Sequence, residues 1–191
     1  MSDAPVVTTT SRPELLDPDG SDRTFRATVY DLPTVGARMQ EVRDRLAAGI
    51  GVSGPQYAIL MAILHMQDEA DGAGVRAVGR RLHVSGPFVT AQANRLVEFG
   101  LVERRPHPSD GRGVLLCLTA EGRRRISEAG PAIRDANDTF FAALDRVDFL
   151  VLGDIAARLE ASSAKAVRGM GNNDGQADLP RKKKTAPKGR L

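Results

Sequence analysis

Arginine supplies most of the chemistry available between residues 76 and 125. Ten arginines stand there against Glu98, Glu103, Asp110 and Glu121. A guanidinium is always charged, and its planar fork fits phosphate and carboxylate oxygens. The formal net charge of the whole chain is only +3, so this block is a local basic field in an otherwise acidic body. Such a field points to an anionic partner, most often nucleic acid. A second basic cluster closes the chain: Arg181, Lys182, Lys183, Lys184, Lys188 and Arg190. The opening segment is acidic instead, with Asp3, Glu14, Asp17, Asp19 and Asp22 against Arg12 and Arg23.

Other chemistries find little support. The single cysteine, Cys117, excludes an intrachain disulfide and reads as a structural thiol on a strand. His65 with Asp68 and Glu69 has helical spacing, but zinc wants three or four convergent ligands, so a solvated helix end is expected. His83 and His107 read as polar surface or phosphate contacts. No Ser/His/Asp order, carboxylate pair or phosphate loop stands out, so an enzyme is not expected, and neither is a metal or a resident cofactor. Hydrophobic residues make up 41% and charged residues 27% of the chain, enough for a globular core. Apolar runs fall far short of the roughly 18 residues of a membrane span. The polar start lacks a charged-then-apolar leader pattern, and the expectation is a soluble cytoplasmic protein.

The elements that must position the arginines are mostly helical. Leu32 to Ala48 reads as a helix capped by Asp31, with Pro33 in its first turn and a stop at Gly49 and Gly51. Ser53 caps a second helix to about Gln67, apolar on most sides and therefore buried. After a loop, a short helix covers about Arg76 to Leu82. His83 and Val84 make a tight turn, and Ser85 caps a fourth helix from Gly86 to Phe99. The period then switches to that of strands: 101–105 and 113–119 flank a turn rich in Pro, Asp and Gly. A helix from Thr119 with a kink at Gly130-Pro131 follows, then a last helix over about Val147 to Ala164. Segments 1–23 and 169–191 read as a disordered acidic arm and a disordered basic tail.

Helix, tight turn, helix and hairpin in that order make a winged helix-turn-helix. Val78, Gly79 and Leu82 are placed to face Val89, Ala93 and Leu96, and Gly79 lets the backbones approach. The second helix of the pair would enter a major groove. Its outward positions are Gly86, Phe88, Thr90, Ala91, Asn94 and Arg95, preceded by Ser85 at the cap and Pro87 in the first turn. Asn suits adenine edges, and apolar groups suit the thymine methyl.

Residues 75–122, VRAVGRRLHVSGPFVTAQANRLVEFGLVERRPHPSDGRGVLLCLTAEG, resemble the DNA-binding lobe of MarR-type transcriptional regulators. The small-residue helix followed by VSGPFVT, then RLVEFGLVERR, then DGRGVLLCLTAEG carry the resemblance, which extends less specifically over 32–165. It implies a mostly α fold with a small β-hairpin wing, and a winged helix-turn-helix lobe over 53–119. Dimerisation helices would lie at 24–52 and 120–168. It implies a homodimer on palindromic double-stranded DNA, with Arg112 at the wing tip entering a narrow minor groove and Asp110 bracing it. Ala91 and Gln92 depart from the family pattern and leave the recognition helix weakly charged. Phosphate contacts are then expected from among Arg76, Arg80, Arg81, Arg104 and Arg105.

Relatives of this type bind small aromatic acids or their thioesters between the dimer helices and the DNA lobe. Tyr57, Met61 and His65 share one stripe of the second helix, and Met39 and Arg43 share one of the first, so these five are the candidate effector wall. Plain packing is the competing account of such stripes. The functional expectation is a ligand-released repressor. The alternatives are a metal- or thiol-sensing regulator of the same fold and a ligand-independent one.

Overall fold

The computed structural model describes residues 8–67, 72–107 and 113–171. They divide into two compact units, within 1–140 and 141–191. The first contains a 3-10 turn at Pro13–Leu15, then α1 (Arg23–Ile50), α2 (Gly54–Gln67), β1 (Ala73–Gly74), α3 (Val75–Leu82), α4 (Gly86–Glu98), β2 (Val102–Pro106), β3 (Val114–Leu118) and α5 (Ala120–Phe140). The second contains α6 (Arg146–Gly171).

The core of the first unit gathers around α2. Ile59, Leu60 and Ile63 are fully buried with Val78, Val89, Ala93, Leu96, Leu101 and Leu116. A helix apolar on nearly all sides has no solvent face to present, which is why α2 lies under the other elements. Its start is fixed by Gln56, whose side-chain oxygen accepts from the Ser53 N–H at 2.9 Å. This is the reciprocal half of a capping box.

Two expectations about the first unit are corrected and a third is extended. α1 begins at Arg23 rather than Leu32 and carries Pro33 in its interior. Proline removes the bond to the Val29 carbonyl, and Val29 is exposed, so water can satisfy the freed acceptor and the helix continues. The expected acidic arm is folded from residue 8 onward. Asp22 is buried and accepts from the Thr9 N–H at 2.6 Å and the Thr9 hydroxyl at 2.7 Å. These bonds hold its carboxyl below the usual aspartate range. The expected hairpin of β2 and β3 forms, and it gains a third strand in an antiparallel sheet of order β1-β3-β2, because Ala73 and Gly74 pair with Leu116 and Leu115. A two-residue strand is too short to show alternation in sequence.

α5 is tied to the end of α1 by charge. Glu121 accepts from Arg124 at 2.7 Å and Arg125 at 2.8 Å, and Arg125 Nη1 also donates to the Ile50 carbonyl at 3.3 Å. The arginines hold the Glu121 carboxyl at about 2, below its ordinary value of 4.5. A depressed folded value means that the contribution is complete above pH 4.5 and is lost as pH falls toward 2. Melting temperatures followed over that interval should drop more for the native chain than for Glu121→Gln. Equal drops would show that Glu121 is not the titrating group.

In the second unit, Asp145 Oδ1 accepts from the Asp148 N–H at 2.9 Å and caps α6. Phe141 and Phe149 meet edge to face with centroids 5.5 Å apart. No residue of α6 whose side chain is described is buried; Phe149, Leu150, Val151, Leu152, Ile155 and Leu159 are all exposed. The helix runs to Gly171, into the first residues of the expected tail, and the basic cluster of 181–190 lies outside the described residues.

Candidate nucleic-acid interface

The two helices that form the candidate reading head are α3 and α4. His83 ends α3 in a left-handed conformation, φ 53°, and the Val84 N–H returns to the Gly79 carbonyl at 3.0 Å. A Cβ on Gly79 would lie 2.9 Å from the Val84 carbonyl oxygen and 3.8 Å from Val89 Cγ2. The close approach expected at Gly79 is therefore mainly to the turn, and only secondarily to the facing helix. Ser85 then caps α4, its hydroxyl oxygen accepting from the Phe88 N–H at 3.3 Å. Val89, Ala93 and Leu96 bury one stripe of α4. Helical periodicity places Pro87, Ala91, Asn94 and Arg95 on the opposite side, and all four are exposed, as are Phe88 and Thr90. The Thr90 hydroxyl donates to the Gly86 carbonyl at 3.0 Å, which spends its proton inside the helix and leaves it an acceptor.

A cleft of about 610 Å³ runs beside this head, lined by Arg76, Gly79, Arg80, His83, Val84 and Gly86. Arg76 and Arg80 are one helical turn apart on the same side of α3 and exposed. The cleft also meets the start of α4, where helix N–H groups favour negative charge. Two guanidiniums and a helix start around one groove can accept a phosphate.

The remaining arginines are engaged differently. Arg95 pairs with Glu98 at 3.0 Å and Arg105 with Glu103. Exposed pairs of this kind add little stability and are readily exchanged for another anion. Arg104 Nη2 donates to Asn94 Oδ1, a link between β2 and α4 across ten positions that no local spacing announces. Gly86 is half-buried at the rim of the groove. Asp110 and Arg112 lie outside the described residues. β2 and β3 stay paired to their ends, with Pro106 opposite Val114 and the His107 N–H bonded to the Gly113 carbonyl at 3.0 Å.

The five candidate effector residues are only partly brought together. Tyr57 is buried, Met39 and Met61 are half-buried, and Arg43 and His65 are exposed. Burial pushes the Tyr57 phenol up, and the Arg43 charge on α1 pulls it the other way. A different cleft of about 460 Å³ lies between α1 and α5. Arg45, Arg124, Arg125 and Glu128 line it together with the apolar Leu46, Ile50 and Ala129. Periodicity along a single helix could not show this pairing. Cys117, expected as a structural thiol on a strand, is fully buried, with its neighbours Leu116 and Leu118 inward as well. Gly72, just before β1, packs against the thiol: a Cβ there would lie 2.7 Å from Cys117 Sγ. Asp68 and Glu69 lie outside the described residues. Among the described residues no group of three or more His, Cys, Asp or Glu is placed to hold a metal ion.

If Arg80 contacts phosphate, Arg80→Ala should weaken all duplexes alike and lower the slope of log affinity against log salt by about 0.9. A slope unchanged within error in a salt titration would remove Arg80 from the interface.

The family model described as MarR family matches residues 50–113. The HTH-type transcriptional repressor YetL of Bacillus subtilis (strain 168) is 28% identical over 97 residues, 51% of this chain and 57% of that protein. The chain thus spans little more than half the length of this relative. The crystal structure of CouR from Rhodococcus jostii RHA1 bound to p-coumaroyl-CoA superimposes with a TM-score of 0.60 at 23% identity, covering 70% of this chain and 90% of that one. A cysteine-to-serine mutant of MarR from E. coli, complexed with operator DNA, gives 0.57 at 21% identity, covering 67% and 89%. At such identities the structural likeness speaks for the fold: mostly helical, with a small three-stranded antiparallel sheet as its wing. The matched segment, about a third of the chain, includes the Gly79 approach, the Ser85 cap and β2 and stops just before β3; over it the chain is similar to the MarR family.

Proposed function

We propose that the protein is a dimeric transcriptional regulator that occupies a two-fold-symmetric site on double-stranded DNA. The observation that carries this reading is the Ser85-capped α4 with its exposed Pro87, Ala91, Asn94 and Arg95 face, set beside the groove of Arg76, Arg80 and His83. That combination offers base edges one surface and phosphates another. YetL is named a repressor and the E. coli MarR mutant was crystallised on operator DNA, which supports repression by site occupancy.

Dimerisation is supported by exposed apolar helix faces in each unit. Val29, Tyr30, Leu32 and Val35 on α1, and Leu150, Leu152, Ile155 and Leu159 on α6, face solvent in a single chain. Large apolar side chains gathered along a helix and left to solvent in this way are a common mark of an interface.

The effector of this reading is a small aromatic acid or its thioester. CouR holds p-coumaroyl-CoA, and in this chain the Arg43 charge on α1 acts on the buried Tyr57 phenol on α2. Such a ligand acts only through different affinity for the DNA-bound and free forms. Selection of bound duplexes from a random pool tests the main proposal. A two-fold consensus with half-sites about one helical turn apart is expected. Enrichment of no duplex, or of an asymmetric single site, would refute it.

A further inference from the structure

The hydrogen bond between Arg104 and Asn94 bears on which base α4 can read. Arg104 Nη2 is the donor and Asn94 Oδ1 the acceptor. The orientation of the amide follows from chemistry, because a guanidinium has donors only and must face the carbonyl oxygen. Both residues are exposed, and Asn94 lies on the side of α4 opposite Val89, Ala93 and Leu96. A free asparagine reads adenine with both atoms, accepting from N6 and donating to N7. Here Arg104 takes one of the two lone pairs of Oδ1 and sets a positive guanidinium beside the other, so the groups left for a base are mostly donors, led by the Nδ2 pair. Arg104 likewise contributes donors alone, with further N–H groups to spare.

A donor-rich pair matches adenine poorly, because its N6 amine would approach the guanidinium's N–H groups. It matches guanine, which presents two acceptors, N7 and O6, in the major groove. Cytosine presents an amine there, and thymine a single acceptor beside its methyl group.

We infer that Arg104 is a specificity-determining residue: by holding Asn94 Oδ1 it makes this point of the recognition helix donor-rich and turns its preference from adenine to guanine. Arg104 thereby positions Asn94 as well as offering donors of its own, and β2 takes part in base choice through α4. The inference deepens the proposed duplex-DNA function and rests on it.

Parallel selections from one random duplex pool test it, using the full chain, Arg104→Met, Arg104→Lys and Asn94→Ala. Thermal melting of each variant confirms folding. The native chain should favour guanine at one position of each half-site. Arg104→Met frees the amide oxygen and should switch that position to adenine by about tenfold. Arg104→Lys keeps a donor and should retain guanine, while Asn94→Ala should relax the position. A mere phosphate contact would behave otherwise: Arg104→Met would then weaken all duplexes equally with the consensus unchanged, and that result overturns the inference. An adenine preference in the native chain overturns it too. If no variant and no native chain enriches any duplex, the DNA-binding function itself falls, and this inference with it.

Discussion

Ile155→Glu should convert the protein to a monomer and weaken its binding to a symmetric duplex by at least about 100-fold. Ile155 sits on α6 among Val151, Leu152 and Leu159, all solvent-facing in the single chain. A buried aliphatic side chain of this size contributes about 1.5–3 kcal/mol. In a two-fold interface the same patch appears on both partners, so one substitution removes two such contacts and introduces two carboxylates. An unpaired carboxylate does not stay desolvated, so the interface must open to hydrate it. The winged helix should remain folded, because its core around Ile59, Leu60 and Ile63 lies within the first unit. Sedimentation velocity reads the oligomeric state, and circular dichroism reads the fold. A dimer as tight as that of the native chain would place Ile155 outside the interface.

Gly122→Ala should cost about 2–4 kcal/mol of folding stability, read as a lower urea midpoint at constant slope. A Cβ on Gly122 would stand 2.2 Å from the Leu101 carbonyl oxygen and 3.1 Å from its carbon. These are backbone atoms and cannot rotate aside. Leu101 is fully buried, and its carbonyl accepts from the Thr119 N–H at 3.1 Å. The Thr119 hydroxyl oxygen accepts from the Gly122 N–H at 3.0 Å and its proton goes to the Gly100 carbonyl at 2.6 Å. A shift of α5 that relieved the clash would break this junction of α4, β3 and α5. Gly49→Ala, with nothing within 4 Å of the added carbon, should be neutral or slightly stabilising. Equal midpoints for Gly122→Ala and the native chain would show that the contact yields cheaply.

The residues that made the helix-turn-helix legible are those with local physics. Ser85 caps the helix it precedes, Gly79 sits where the turn folds back, and the periods of α4 and of the two long wing strands need no distant partner. The wing pairs as expected, Val102 opposite Leu118 and Arg104 opposite Leu116. Features that depend on remote contacts were not legible. The start of α1 is set by Asp22 and Thr9, thirteen positions apart. β1 exists only because β3 offers an edge to two residues. In the candidate interface, the sequence nominated Arg76, Arg80, Arg81, Arg104 and Arg105 alike. The fold separates them: Arg76 and Arg80 share a groove, Arg105 is paired with Glu103, and Arg104 holds Asn94.

The central claim is that two copies of this chain grip one symmetric duplex. Sedimentation equilibrium of the full chain with the selected duplex, each strand bearing a dye, measures this directly. Two chains per duplex are expected, with assembly weakening steeply as salt rises. One chain per duplex at undiminished affinity would contradict the account.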